Sequence, residues 1–138
     1  MLIAIAVGYA LRSQHPLVLI GAAAPVTLVA ICIEAAADQQ LRRFAQTNEA
    51  PGHILDTGLW AYSRHPNYFE EVLFWWGLFL LGMATDPSRW WTISGAVSIT
   101  LLFIFISLPL IEKRMSKKTG YAEHVQRISG LVPWFRIK

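Results

Sequence analysis

The chain has 138 residues, 54% of them apolar and only 15% charged, with a formal net charge of +3. That length holds one domain at most, and the charged share falls well short of the roughly 25% typical of a soluble domain. Cys32 is the only cysteine, so an internal disulfide is excluded. Its apolar surroundings predict a small core residue.

Residues 1–11 are apolar but too few to cross a bilayer, and Arg12 follows the stretch where a signal peptide would place its basic residues first. This reads as the end of a helix, with residues 1–16 a partial helix and loop, and the chain as a fragment or shortened relative of something longer. Residues 18–33, 72–85 and 90–111 then carry no charge. Runs near 20 residues match a hydrocarbon core of roughly 30 Å at about 1.5 Å per residue. The expected fold is an all-α, polytopic membrane helix bundle forming one membrane domain. It has about three full spans, at 17–37, 68–84 and 90–111, plus the short N-terminal apolar helix. Segment 38–67 and the tail 112–138 lie outside the membrane.

Orientation follows from the basic residues. Arg42, Arg43 and Arg64 lie between the first two spans, and Lys113, Arg114, Lys117, Lys118, Arg127, Arg136 and Lys138 lie in the tail. The positive-inside rule therefore places segment 38–67 and the tail in the cytoplasm. A basic tail beside a membrane reads as a contact with anionic lipid, not with nucleic acid. The Asp86-Pro87-Ser88 turn faces the other side, with Trp90 and Trp91 at the interface. Around Tyr121 to Arg127, and again at Leu131 to Phe135, the tail is polar with aromatic punctuation, a pattern able to fold back over a pocket.

Two polar constellations stand out. Glu34, Asp38 and Arg42 share a helix face at spacing four, where Asp38 and Arg42 can pair locally; Glu34, a turn deeper, is costlier in a membrane. The second is Trp60, Tyr62, Arg64, His65, Asn67, Tyr68, Glu70 and Glu71 at the start of the second span. Pro66 suits a helix start, Asn67 or Ser63 suits a cap, and acids suit the first turn. Arg64 is not explained that way. An Arg beside a helix N-terminus suits phosphate or carboxylate, and His65 offers a proton donor or a phosphate contact. No Gly-x-Gly-x-x-Gly, P-loop or nucleophile elbow is present, and no His–Glu spacing suits a metal.

Several elements together resemble the C-terminal half of the steroid 5-alpha-reductase superfamily, most closely its bacterial DUF1295-like membrane proteins. They are Asp38-Gln39-Gln40-Leu41 with Phe44, Gly58-Leu59-Trp60, and Tyr62-Ser63-Arg64-His65-Pro66-Asn67-Tyr68-Phe69. Glu71, Trp75, Gly77, Pro109-Leu110-Ile111-Glu112, Tyr121, Arg127 and Leu131-Val132-Pro133 complete the match, which covers roughly residues 30–134. The resemblance implies a helical bundle binding NADPH from the cytoplasmic side. Asp38, Arg42, Arg64, His65, Asn67, Tyr68, Glu71, Tyr121 and Arg127 would line that cofactor site. It also implies an oxidoreductase acting on CH–CH groups, which reduces an activated carbon–carbon double bond in a lipid-like or steroid-like substrate. In such relatives the substrate-polarising Glu and Tyr lie in the N-terminal half, so no catalytic residue, metal or oligomeric state is assigned here. Glu70 stands where Gly is common, and beside a phosphate it would repel unless it points away. Isoprenylcysteine carboxyl methyltransferases and phospholipid methyltransferases, which bind S-adenosylmethionine, carry a related Arg-His-Pro element. Asn67 and the Glu112-Lys113 pair favour the reductase over them. A non-catalytic membrane fragment is the third reading.

Overall fold

The computed structural model describes residues 17–47 and 52–135. The short N-terminal helix expected within residues 1–16 lies outside the described residues. The described residues form helices and no β-strand; a single parallel bridge joins Ser63 and Ser129.

Helix α1 spans Leu17–Thr47. It runs ten residues past the span end expected at 37, because Gln, Leu, Arg and Ala favour helix and no Gly or Pro interrupts them. Its 31 residues reach about 46 Å, longer than a bilayer core, so the polar end projects beyond it. Helix α2 spans Pro66–Thr85. After it come a 3-10 segment Pro87–Thr92, helix α3 Ile93–Leu102, a π-helical turn Phe103–Ser107 and helix α4 Leu108–Met115. Pro109 accounts for the widened turn: it has no N–H to donate, and its ring crowds the carbonyl four residues back. Helix α5, Tyr121–Arg127, follows a turn at Gly120, whose φ of 79° suits glycine.

The core is the seam between α1 and α2. Ala23, Thr27, Ala30 and Ala37 are buried along one face of α1, opposite Gly77, Leu81 and Ala84 of α2. Small residues let two backbones approach closely where no water drives association. At Gly77 a Cβ would meet the Thr27 hydroxyl and lie 3.2 and 3.3 Å from the Thr27 backbone N and Cα. Helix α3 joins α2 through Trp76 Nε1, which donates to Thr100 Oγ1 at 3.1 Å. The Asp86 turn closes as expected, with Asp86 Oδ1 accepting from Ser88 N and Oγ at 3.1 and 2.6 Å.

Among the described residues, two stretches are long and apolar enough to cross a membrane, Ile20–Thr47 and Pro87–Met115. Helix α2 has 20 residues but carries Glu70 and Glu71 near its start and does not reach that hydropathy. The core helix of a soluble protein is mostly buried, whereas only 6% of the most apolar window in Pro87–Met115 is. Phe105, Ile106, Leu110, Trp90 and Trp91 all lie open. Apolar surface left uncovered on this scale has the character of a membrane helix. Cys32, expected in the core, is on the exposed face of α1, because the alanines and Thr27 occupy the buried face.

Candidate functional site

The site is built where segment 52–66 and the tail meet at one end of the bundle. Arg64 N donates to Ser129 O at 2.8 Å and Trp134 N to Tyr62 O at 3.0 Å. Ser63 Oγ accepts from His65 N at 3.2 Å and donates to Leu131 O at 2.7 Å. Lys118 Nζ donates to His53 O at 3.3 Å. The tail thus folds back over the Arg-His-Pro-Asn-Tyr element, as its aromatic pattern suggested. On the other flank, Leu59 N donates to Gln40 Oε1 at 2.9 Å, and the chain passes so close that a Cβ on Gly58 would collide with the Gln40 side chain.

Pro66 opens α2 as expected, but neither Asn67 nor Ser63 caps it. His65 holds the cap position with no side-chain cap hydrogen bond. Ser63 ties the tail instead, and Asn67 already lies inside the helix. Glu70 and Glu71 are the fifth and sixth helical residues, beyond the first turn, so the dipole argument does not apply to them. Glu71 accepts from Trp75 Nε1 at 3.1 Å. Glu70 is buried, has Glu34, Glu71 and Asp38 as its charged neighbours, and does not line the cavity described below.

Glu112 is the hub of the site. Its Oε2 accepts from Arg64 Nη1 at 2.7 Å, and its Oε1 lies 2.9 Å from His65 Nε2. The Arg64 side chain is 13% exposed and that of Glu112 26%. A partly buried ion pair needs its remaining groups satisfied to be favourable. Burial lowers the His65 pKa below its ordinary value, against the opposing pull of Glu112. His65 is therefore neutral at pH 7 and donates through Nε2–H. The buried ring of Tyr121 lies tilted against His124, with centroids 5.9 Å apart. Burial pushes its phenol up to about 12, and its hydroxyl faces Glu112 and Arg64 without closing a hydrogen bond.

Arg64, His65 and Tyr121, with Asn67 and Lys118 but not Glu112, border a cavity of about 240 Å³. Leu41 and Phe44 of α1, Trp60, Tyr68 of α2 and Ile111 and Met115 of α4 supply its apolar wall. The Tyr68 ring stacks on His65 at 5.5 Å and tilts against Phe103 at 4.7 Å. Among the described residues, the buried side-chain atoms with no hydrogen-bond partner are Arg64 Nε, Asn67 Oδ1 and Tyr121 Oη. All three belong to residues that line this cavity. A second hollow of about 190 Å³, bordered by Asp56, Glu123 and Arg127, adjoins it and shares Ile54 and His124.

Of the residues expected to line a cofactor site, Arg64, His65, Asn67, Tyr68 and Tyr121 come together in the cavity, and Arg127 borders the adjoining hollow. Asp38 and Arg42 do not reach it. They form an exposed pair at 3.4 Å, the local pairing that their spacing allowed. Glu71 is engaged with Trp75 outside the cavity. Sequence reasoning missed Glu112 as the partner of Arg64 and His65. The available signal was electrostatic, since a buried cation next to a membrane segment calls for a nearby carboxylate.

Residues 1–128 match the family described as "Protein of unknown function (DUF1295)". The chain belongs to this family. The family itself falls within the steroid 5-alpha-reductase-like superfamily, as the Arg-His-Pro-Asn-Tyr element and Glu71 suggested. No curated protein and no solved structure matches the chain.

Proposed function

We propose that this chain is the NADPH-binding half of a membrane reductase of the steroid 5-alpha-reductase type, acting on an activated carbon–carbon double bond in a lipid-like substrate. The observation that carries this reading is that Arg64, Asn67 and Tyr121, the residues with an unpartnered buried polar atom, all line one aromatic-walled cavity that also holds the Lys118 cation. Native proteins rarely leave buried polar groups unpaired, and where they do a ligand is a ready explanation. At about 240 Å³ the cavity is below the roughly 300–1,000 Å³ usual for a whole small-molecule site. The adjoining hollow with Arg127 extends it, so one end of a dinucleotide would lie among Tyr68, Asn67 and Tyr121 and the other toward Arg127.

When bound, NADPH supplies the hydride. This chain's residues hold it. Glu112 fixes Arg64 and His65, Tyr68 offers a ring face, and the apolar wall keeps water from the reacting end. In the same reading α2 is a third span beside the two apolar stretches, and the site opens to the cytoplasm by the positive-inside rule.

The test is a fluorescence titration of NADPH against detergent-solubilised protein and against sealed vesicles of both orientations. Saturable binding, reached in vesicles only when the cytoplasmic face is outside, is the expected result. Binding of S-adenosylmethionine with no response to NADPH or NADH would replace the reductase by the methyltransferase reading. Access from the opposite face alone would overturn the orientation.

A further inference from the structure

One acid interrupts the small-residue face of α1. Ala23, Thr27, Ala30 and Ala37 are buried there. Glu34 takes the remaining place in that series, four residues after Ala30 and three before Ala37, and yet it is exposed. Across the seam Thr27 meets Gly77, while Ala37 O accepts from Trp60 Nε1 and Gln40 Oε1 from Leu59 N. The two helices therefore run antiparallel. Glu34 lies seven residues after Thr27, and Glu70 seven before Gly77, about two turns in each case. This register sets Glu34 and Glu70 against each other at one level, and of the charged groups around Glu70 it is Glu34 that repels it most. Glu70 is only 5% exposed, and among the described residues no group bonds to its carboxylate. The other acids nearby are engaged: Asp38 pairs with Arg42 at 3.4 Å, and Glu71 accepts from Trp75 Nε1 at 3.1 Å. A carboxylate within a membrane helix bundle calls for a partner, and two facing acids repel unless a positive charge lies between them.

We infer that Glu34 and Glu70 form a binding site for the primary ammonium group of an amphiphile, entered from the open side of the seam. Carboxylates only accept, so the ligand must donate, and an ammonium has three N–H donors to share between the two acids. Each such bond is charge-assisted. Among the described residues no group of three His, Cys, Asp or Glu is placed to hold a metal ion, so the donor set suits an organic cation and not a chelated one. Leu28 and Ile31 precede Glu34 at spacings of three and are 59% and 37% exposed. An apolar tail lies along them while the charged head enters between the acids. Neither Glu34 nor Glu70 borders the cavity of Arg64 and Tyr121, so this site stands apart from the cofactor reading.

The probe is n-octylammonium chloride, titrated at pH 7 into the full chain in a non-ionic detergent and followed by calorimetry. Saturable binding is expected, roughly tenfold tighter than that of n-octanol, the usual effect of a charge-assisted contact. Glu34→Gln and Glu70→Gln should each weaken it by a similar factor. Without ligand both variants should melt at or above the parent, since each removes one of two like charges. Native mass spectrometry of the chain released from nanodiscs of phosphatidylethanolamine and phosphatidylglycerol identifies the source: a retained phosphatidylethanolamine names a lipid head group, and octylammonium binding with no lipid retained names a free amine. Equal binding of octylammonium and octanol, or no binding of either, overturns the site. Unchanged binding to Glu70→Gln overturns it too. So does an equal gain in melting temperature from magnesium chloride, which assigns an inorganic cation instead. A fall in the melting temperature of unliganded Glu70→Gln would show that the carboxylate has a partner inside the protein, which also overturns it. The comparison of amine and alcohol needs no variant, so a variant that fails to fold does not blunt the test, and the outcome with NADPH does not bear on it.

Discussion

The seam between α1 and α2 and the polar end of the bundle are assembled by opposite means. The seam is made by side chains that are nearly absent: Ala23, Ala30, Ala37, Gly77 and Ala84 let the helices touch through their backbones. The polar end is made by side chains that reach far, with Glu112 spanning to Arg64 and His65 from another helix. Contact in the seam is limited by how much is present, so adding atoms should break it. In the polar end each group relies on a specific partner, so removing atoms should break that. The membrane setting explains the division. In lipid there is little hydrophobic gain from pressing helices together, so close packing and internal pairing of charge must do the work.

The largest effect should come from adding bulk to the seam. Gly77→Leu places a branched side chain where a single Cβ already collides with the Thr27 hydroxyl and nearly touches its backbone. Backbone cannot move aside as a flexible side chain can, so the cost should exceed the usual ~1–3 kcal/mol of an overpacked site. Loss of a cooperative melt in detergent is the expected outcome. Gly95→Ala, whose Cβ would lie 3.6 Å from the Trp75 ring, is the control and should melt near the parent. Equal behaviour of the two would mean the seam is not a close contact.

The polar end should respond next, and to deletion. Glu112→Ala strips the partner from Arg64 and His65 together, leaving a largely buried guanidinium unpaired. Removing one partner of a buried pair costs roughly 3–5 kcal/mol, and the partial exposure here argues for the lower end. Asp38→Ala, at the exposed pair with Arg42, should change stability by less than about 0.5 kcal/mol. The two substitutions delete the same kind of group, so the ratio of their effects in thermal melts measures burial directly.

The helices were legible in the sequence, and the contacts between them much less so. Charge-free runs marked the apolar helices, Pro66 marked the start of α2, and Asp86 marked a turn, because each of these is a local rule. The helix of α1 was expected to continue past its span, through Arg42, and it runs on to Thr47, since hydropathy reports where apolar character stops and not where helix stops. The cap at Asn67 or Ser63 was a sound local expectation that the structure does not keep: Ser63 bonds Leu131, 68 residues away, and Asn67 lies inside the helix. The role of Glu112 depends on partners 47 and 48 residues earlier in the chain. No local spacing contains that information. The same holds for the separation of Asp38, Arg42 and Glu71 from the cavity, which depends on the faces that α1 and α2 turn to each other.

The smallest predicted effect is a dependence on pH, and its sign separates the two regions. Burial lowers the folded-state pKa of His65 below the ordinary value of about 6.5. In the unfolded chain His65 binds a proton more readily than in the folded one. Stability therefore rises with pH through this window and is lost as pH falls below 6.5 toward the folded value. The region that loosens is the polar end, because His65 sits on Glu112, Ser63 and the first turn of α2. The seam contains no titrating histidine and should not respond. Melting temperatures of the parent and of His65→Gln, which cannot titrate, should converge at pH 5 and separate at pH 7.5, with the parent higher. Working with the difference between the two proteins cancels the carboxylates they share. A parent that gains relative to His65→Gln on acidification would mean that the pull of Glu112 outweighs burial, and that His65 and Glu112 form a charged pair in the folded protein.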